Sequence, residues 1–417
     1  MRNSCWGRRA AVKAQEVEID GLGAQGDGVV ELAEEVLYIP YALPGELWRV
    51  ADGEREVLLR SHPARVDPLC PHFGSCGGCV AQHMPGALYV AWKRGIVRDA
   101  FRHRGIDAPV AELVRVPLAS RRRITVYARR YRKNLHLGFY RAATNYIMNV
   151  TECPIAMPQL VAALPVLREM LEPMLTGRAE AGINMLATPA GVDVSMIFIY
   201  LDSPRKDYPR MAALAAQHGF ARLTVEHDTL VLGRQPVLAF GGVDVAPPPG
   251  AFVQAVEASE VEMVRLVLAA TAKAKRVADL FCGLGTFTFP LARYARVLAV
   301  DGDEDSIAAL ASAARRAQGL KPIETKVRNL FNMPLSAKEL EVFDAAVFDP
   351  VRSGAEAQAR ELARSRVRTV VAVSCNPGTL ARDVRILIDG GYALECVTPI
   401  DQFLFSHHVE AVAVLRR

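Results

Sequence analysis

The stretch Val277-Ala-Asp-Leu-Phe-Cys-Gly-Leu-Gly-Thr-Phe287 decides how the C-terminal part of this chain folds. An apolar run meets an acid, turns through two glycines and enters a helix-forming segment. Gly283 and Gly285 let the backbone approach a ligand closely, and a helix start favours polar groups. The residues that follow repeat the rhythm. Arg276–Phe281, Arg296–Val300, Ala345–Phe348 and Thr369–Ser374 read as apolar strands, Ser306–Gln318 and Gly378–Ile388 as helices, and Val409–Leu415 as a final strand. Alternation of this kind predicts a doubly wound, mainly parallel sheet. Ligands of such sheets bind at the carboxyl ends of the strands.

Two ligand classes fit the loop. A dinucleotide site prefers G-x-G-x-x-G, but the third position here is Thr288. Asp279 precedes the glycines, and Asp301 ends the next strand, where a carboxylate can accept both hydroxyls of a ribose. That arrangement suits an adenosyl ligand without a pyrophosphate, S-adenosylmethionine, better than a dinucleotide. A glycine turn serving only helix–sheet packing is the plain alternative. Asp279, Phe281, Gly283, Gly285 and Asp301 are the expected cofactor-binding residues of this stretch.

At roughly 100–200 residues per domain, 417 residues allow two to four domains. Hydrophobic residues make up 51% and charged residues 23%, a globular balance that excludes disorder as the main state. The net charge of +5 is too small to argue for a nucleic-acid partner by itself. Met1 to Asp20 is polar, with no apolar run suited to a signal peptide. No stretch reaches the ~18 apolar residues of a spanning helix. The expectation is a cytoplasmic protein without membrane contact and with no obligate protein partner evident.

Upstream, Asp20-Gly-Leu-Gly-Ala-Gln-Gly-Asp-Gly28 is turn chemistry between short β-prone segments, Val29–Val30, Val36–Ile39 and Glu46–Val50. This predicts a small β-barrel. Residues 87–104 read as helix and 114–150 as strands. The latter carry a basic run, Arg121, Arg122, Arg123, Arg129, Arg130, Arg132, Lys133 and Arg141, interleaved with Tyr127, Tyr131, Phe139 and Tyr140. Such a run suits phosphate contacts plus base stacking, although for any one arginine a solvated strand face is the commoner role. Pro247-Pro-Pro-Gly250 marks a boundary. Three units are expected: 1–62 a barrel, 63–250 a central α+β domain, 251–417 the doubly wound domain.

The cysteines are eight, and in a reducing compartment a cluster of them reads as metal ligands. Cys70-Pro-His-Phe-Gly-Ser-Cys76-Gly-Gly-Cys79 is C-x5-C-x2-C, and Cys153 is a fourth candidate. Four thiolates can hold zinc or a four-iron cluster. Zinc sites more often show two tight pairs, whereas Cys70 and Cys153 are each followed by proline, as in ferredoxin-type ligand runs. His72 and His83 keep zinc open.

Three strand ends carry further chemistry. Val370-Val-Ala-Val-Ser-Cys-Asn-Pro377 puts Cys375 beside the crevice, where a helix start could lower its pKa and make it a nucleophile. A buried structural thiol is the alternative. His407-His-Val-Glu410 brings an acid into an apolar strand, where burial would raise its pKa toward that of a general base. A salt-bridged or rim glutamate is the alternative. Phe348-Asp-Pro-Val-Arg-Ser-Gly354 sets Asp349 at another strand end, or merely in a turn before proline.

Together the glycine loop, D-P-V-R-S-G, S-C-N-P-G-T-L-A-R-D and H-H-V-E resemble the RNA uridine-5-methyltransferases. The resemblance implies a C-terminal class I (Rossmann-like) α/β methyltransferase domain. It also implies a nucleophile at Cys375, a base at Glu410 and, at Asp349, a carboxylate that helps hold both the base and the cofactor. Ala251-Phe-Val-Gln254 resembles the family's F-x-Q element, which implicates Phe252 and Gln254 near cofactor and uracil. The segment Glu16 to about Arg60, with I-P-Y-A-L-P-G-E, resembles the TRAM domain, an OB-like RNA-binding barrel. The ribosomal-RNA branch of the family carries a [4Fe-4S] cluster with this cysteine spacing, so the resemblance favours ribosomal over transfer RNA. Two positions depart from the pattern: Val351 where a second proline is usual, and Asn329 where an acid usually contacts adenine. They leave an inactive RNA-binding homologue as a rival, as the glycine loop leaves an iron–sulfur oxidoreductase.

Overall fold

A computed structural model describes residues 15–33, 35–51, 56–201 and 204–417. The polar stretch from Met1 to residue 14 lies outside the described residues. Among the described residues, no helix is long and apolar enough to cross a membrane.

The N-terminal segment forms two antiparallel three-stranded sheets. One contains Gln15–Glu18, Leu47–Val50 and Val57–Arg60; the other Gly21–Leu22, Gly28–Glu31 and Val36–Ile39. Their inward residues, Val17, Val30, Leu37, Ile39, Trp48 and Val50, share one small core, as the two-residue period of strands requires. Glu46 organises the connections. Its buried carboxylate accepts from the Leu43 and His62 N–H groups, the Trp48 indole and the Arg65 guanidinium.

The central part is a six-stranded sheet in the order Asp228–Leu232, Arg222–Val225, Gly191–Ile199, Glu180–Thr188, Arg123–Tyr131, Asn134–Gly138. Only the pairing of Gly191–Ile199 with Arg222–Val225 is parallel. The helices Pro158–Leu171 and Tyr208–Gln217 cover its core. Beyond Gly138 the chain is held by isolated bridges, not by the further strands expected up to residue 150.

The C-terminal sheet has seven strands: β1 (Arg276–Leu280), β2 (Arg296–Asp301), β3 (Ile323–Val327), β4 (Ala345–Phe348), β5 (Thr369–Ser374), β6 (Ala393–Ile400) and β7 (Glu410–Arg416). Their order is β3-β2-β1-β4-β5-β7-β6, with β7 antiparallel to both neighbours and the others parallel. The sequence reading found five of the seven. β3 carries the polar run Glu324-Thr-Lys326 at the sheet edge, and β6 contains Glu395 and Pro399. Neither shows the continuous apolar run of a strand buried on both faces.

Two upstream pieces pack on this sheet. The hairpin Leu238–Phe240 and Val243–Val245 shares a core with Leu284, Phe289, Ile307 and Leu310, so the core of this domain extends upstream of the Pro247–Gly250 segment. The helix Gly86–Arg102 packs on the helix Pro377–Asp389 and on β6, burying Val97 and Phe101 in the core that β1, β4 and β5 also line. Its Trp92 indole donates to the Gly23 carbonyl at 2.9 Å, tying the helix to the N-terminal sheets.

Candidate active site

The carboxyl ends of β1, β2, β4 and β5 converge on one crevice. At β1, Asp279 is buried and accepts a 2.5 Å hydrogen bond from the Thr288 hydroxyl, while its Oδ1 has no partner. Burial raises its pKa to about 7, the Thr288 hydrogen bond opposing that rise. Gly283 turns at φ +51 and Gly285 at φ +97. A Cβ on Gly285 would sit 2.7 Å from the Phe289 ring, whereas a Cβ on Gly283 would meet nothing within 4 Å. The Phe289 ring leaves no room for a side chain at Gly285, and Gly283 presents open backbone. Asp301 shapes this turn: Gly283 N–H donates to Oδ2 at 2.8 Å and Asp303 N–H to Oδ1 at 2.9 Å. Each oxygen keeps a lone pair for another donor. Asn329 is exposed, and its carbonyl accepts from the Phe331 N–H at 3.0 Å. Phe331 in turn stands 5.1 Å from the Phe281 ring. Phe281, Gly283, Asp301 and Asn329 thus all lie along the carboxyl ends of β1, β2 and β3.

On the other side, four side chains form a buried chain. Gln254 Nε2 donates to Asp349 Oδ2 at 2.7 Å, and its carbonyl accepts from Gln402 Nε2 at 2.9 Å. Gln402 Nε2 also donates to Glu410 Oε2 at 2.9 Å, leaving Glu410 Oε1 buried and unpartnered. Burial and the Asp349 charge push the Glu410 pKa well above the ordinary carboxylate range. Burial likewise lifts Asp349 to about 7. Phe252 stands apart from this chain. It is exposed, with the Arg123 guanidinium 4.4 Å from its ring centre.

Cys375 follows β5 and faces the same charges. Its pKa is raised to about 11 by burial, Glu410 and Asp349, with Arg352 opposing them. The lowering expected from the helix start does not prevail. Asn376 caps the helix Pro377–Asp389, and its carbonyl takes the Gly378 and Thr379 N–H groups that would otherwise face the thiol. Arg352, from the D-P-V-R-S-G segment, reaches His408 Nε2 at 2.9 Å. As guanidinium only donates, that nitrogen accepts and the ring is neutral. Burial and the neighbouring cations hold His408 down at about 3. A cavity of about 520 Å³ opens beside Cys375, lined also by Gly23, Trp92, Asn376 and His407. Sequence reading missed Gln402 and Arg352. Arg352 lies inside a quoted motif, so its place was the available signal. Gln402 lies in a loop and gave none.

The basic run divides. Arg122 donates to the Gln254 carbonyl at 3.0 Å and pairs with buried Glu260 at 2.6 Å. Arg123 donates to the Val253 carbonyl, and Arg121 stacks on Phe403. These three clamp the central sheet to the Phe252–Val256 segment and do not form the phosphate-facing surface expected of them. Arg132, Lys133 and the neighbourhood of Arg141 remain outward. Tyr38, Tyr41, Tyr127, Tyr140 and Arg141 line a cavity of about 1110 Å³ between the N-terminal and central sheets.

Cys70, Cys76, Cys79 and Cys153 line one cavity of about 370 Å³, and none is in a disulfide. Burial pushes Cys79 up to about 12, and the other three thiols add to the rise. Among the described residues, no three His, Cys, Asp or Glu side chains are close enough to hold a single metal ion. His83 is buried with both ring nitrogens unpartnered and does not line this cavity.

The family model described as tRNA (Uracil-5-)-methyltransferase matches residues 246–417. An uncharacterized RNA methyltransferase of Rhizobium meliloti is 45% identical over 96% of this chain and 99% of its own. A 23S rRNA (uracil(1939)-C(5))-methyltransferase of Edwardsiella ictaluri is 33% identical over 98% and 97%. This chain belongs to the RNA uracil-5-methyltransferase family. The fold agrees: the tRNA (uracil-54, C5)-methyltransferase of Pyrococcus abyssi, solved with S-adenosyl-L-homocysteine, has a TM-score of 0.74 at 23% identity, covering 96% of this chain and 99% of that one. An RNA uracil-5-methyltransferase must hold a methyl donor and a uracil on facing sides of one crevice. In this chain the Gly283 turn and the Glu410 chain both lie at the carboxyl ends of the strands of one sheet.

Proposed function

We propose that this enzyme is cytoplasmic and methylates carbon 5 of a uridine in 23S ribosomal RNA through a covalent Cys375 adduct at carbon 6. The observation that carries the reading is a buried Glu410 whose Oε1 is unpartnered and whose charge, with that of Asp349, acts on the Cys375 thiol. Carbon 5 of uracil is a poor nucleophile. Addition of the Cys375 thiolate to carbon 6 gives carbon 5 enolate character. S-adenosylmethionine, when bound, supplies the electrophilic methyl. Phe281, Gly283, Gly285, Asp301 and Asn329 are the residues to hold it, with Asp279 buttressing the loop through Thr288. Gln254 and Asp349 join that side to the base. Glu410 then takes the carbon-5 proton, and Cys375 departs as thiolate.

Cys70, Cys76, Cys79 and Cys153 would hold a [4Fe-4S] cluster, which would crosslink the Cys70–Cys79 loop to Cys153. Methyl transfer asks no electron of it. The cavity lined by Tyr38, Tyr127, Tyr140 and Arg141 offers stacking faces and a cation to an RNA strand. The target uridine must leave its stack to present carbon 6 to the thiol. The thiol set and the 33%-identical ribosomal relative support ribosomal RNA. Unmodified ribosomal and transfer RNA, each incubated with the enzyme and S-adenosylmethionine, are assayed by nucleoside mass spectrometry. 5-Methyluridine in ribosomal RNA alone is expected. Its appearance only in transfer RNA overturns the substrate, and its absence from both overturns the activity.

A further inference from the structure

The segment from Asp401 to Glu410, which carries both Gln402 and the base, is gripped from outside its own sheet. Lys93 stands in the stripe Tyr89, Lys93, Val97 and Phe101 that the helix Gly86–Arg102 turns inward. Its side chain is fully buried, and its ammonium reaches Asp401 Oδ1 at 2.9 Å, the Phe403 carbonyl at 3.1 Å and the His408 carbonyl at 2.6 Å. The ammonium thus donates to two carbonyls and pairs its charge with Asp401, all on this one segment. Tyr89 adds to the grip. Its hydroxyl donates to Asp401 Oδ2 at 2.7 Å and accepts from the Phe405 N–H at 2.9 Å. From the cysteine loop, the Val80 and Ala81 N–H groups meet the Phe405 carbonyl at 2.7 and 3.0 Å.

Positions 401, 403, 405 and 408 are thereby fastened, and Gln402 lies between the first two. Its amide is the group that orients both Glu410 Oε2 and Gln254. An apolar side chain would pack this stripe at lower desolvation cost than an ammonium. The charge has a geometric task that packing does not explain.

We propose that Lys93 is a positioning residue for proton abstraction: it fixes the main chain of 401–408 so that Gln402 holds the free oxygen of Glu410 toward carbon 5. The inference rests on Glu410 being the base. In that step the carbon-5 proton passes to Glu410. The electron pair of the C5–H bond becomes the C5–C6 double bond, and the C6–Sγ pair leaves with Cys375. Lys93 touches none of these atoms.

The test uses the full-length, cluster-loaded protein with Lys93→Met, the charge-matched pair Lys93→Met/Asp401→Asn, and Glu410→Gln alongside. The pair removes both buried charges, so it keeps the question open to measurement if the single variant misfolds. Each is given S-adenosylmethionine and whichever RNA transcript the wild type methylates, with uridine or with 5-fluorouridine. The fluorinated adduct forms without proton abstraction, so it reads Cys375 and methyl transfer alone. The variants are expected to form it within about two-fold of the wild-type rate. On uridine RNA their turnover should fall by about ten- to a hundred-fold, part of the ~10²–10⁴ that a positioned base contributes. The methylated protein–RNA adduct should accumulate, as with Glu410→Gln. Wild-type turnover, or equal loss of both reactions, overturns the proposal. Normal release by Glu410→Gln overturns the base assignment itself, and the task given to Lys93 falls with it.

Discussion

Gln402 Nε2 lies 2.9 Å from Glu410 Oε2, and the second oxygen of that carboxyl is buried with nothing to bond. One oxygen is fixed and the other is kept for an incoming proton. Glu410→Gln should therefore allow methyl transfer and leave the enzyme covalently attached to RNA, seen as a band resistant to denaturation. Normal product release would reassign the base.

The same carboxyl should cost stability. Its folded pKa is raised, so above the unfolded value of about 4.3 the folded form binds more protons than the unfolded one, and stability falls as pH rises through that window. Glu410→Gln should raise the melting temperature at pH 8 and lose that gain at pH 4. A lower melting temperature at both would show that the carboxyl is stabilised as an anion.

Cys375 should be a sluggish thiol in the free enzyme. With its pKa pushed to about 11, the thiolate fraction at neutral pH is small. Its alkylation by iodoacetamide, followed by peptide mapping, should climb about ten-fold per pH unit from 7 to 9. Asp349→Asn removes one of the charges responsible and should speed alkylation at pH 9. A rate already flat at pH 7 would show a thiolate stabilised by Arg352 or the helix start.

The arginine run should separate by function. Arg122→Met strips buried Glu260 of its partner and should cost about 3–5 kcal/mol. Arg132→Ala, at an exposed position, should leave melting unchanged and reduce the salt dependence of RNA binding by about one phosphate contact. A stable Arg122→Met enzyme with a reduced salt slope would return that residue to the RNA surface.

Cys153→Ser, in anaerobically purified protein, should lower the iron content and bleach the visible absorption. Unchanged iron would mean that another residue completes the ligand set.

The sequence made the catalytic sheet legible where strands were mainly apolar: Asp279 lies near the end of β1, Asp349 and Cys375 directly follow β4 and β5, and their chemistry could be read beside them. It made β3 and β6 illegible, because an edge strand and a strand broken by proline lack that signature. The inward turn of Arg121–Arg123 was hidden for a different reason. A strand residue's face depends on what covers it, and the cover here is the Phe252–Val256 segment from far along the chain. Lys93 left one unused sign: a charge at the four-residue spacing of an otherwise apolar helix stripe.

The insertion of β7 between β5 and β6 sets an order of events during synthesis. Ala393–Ile400 leaves the ribosome before the strand that bonds it to the sheet. Until Glu410–Arg416 emerges, β5 has an open edge and β6 has no partner strand. Glu410, the proposed base, arrives on that same closing strand, so a nascent chain that already holds Cys375 and the glycine loop cannot release a methylated RNA and is exposed to edge-to-edge pairing. Competence and protection from aggregation are gained together, in the last strand of this sheet to be made.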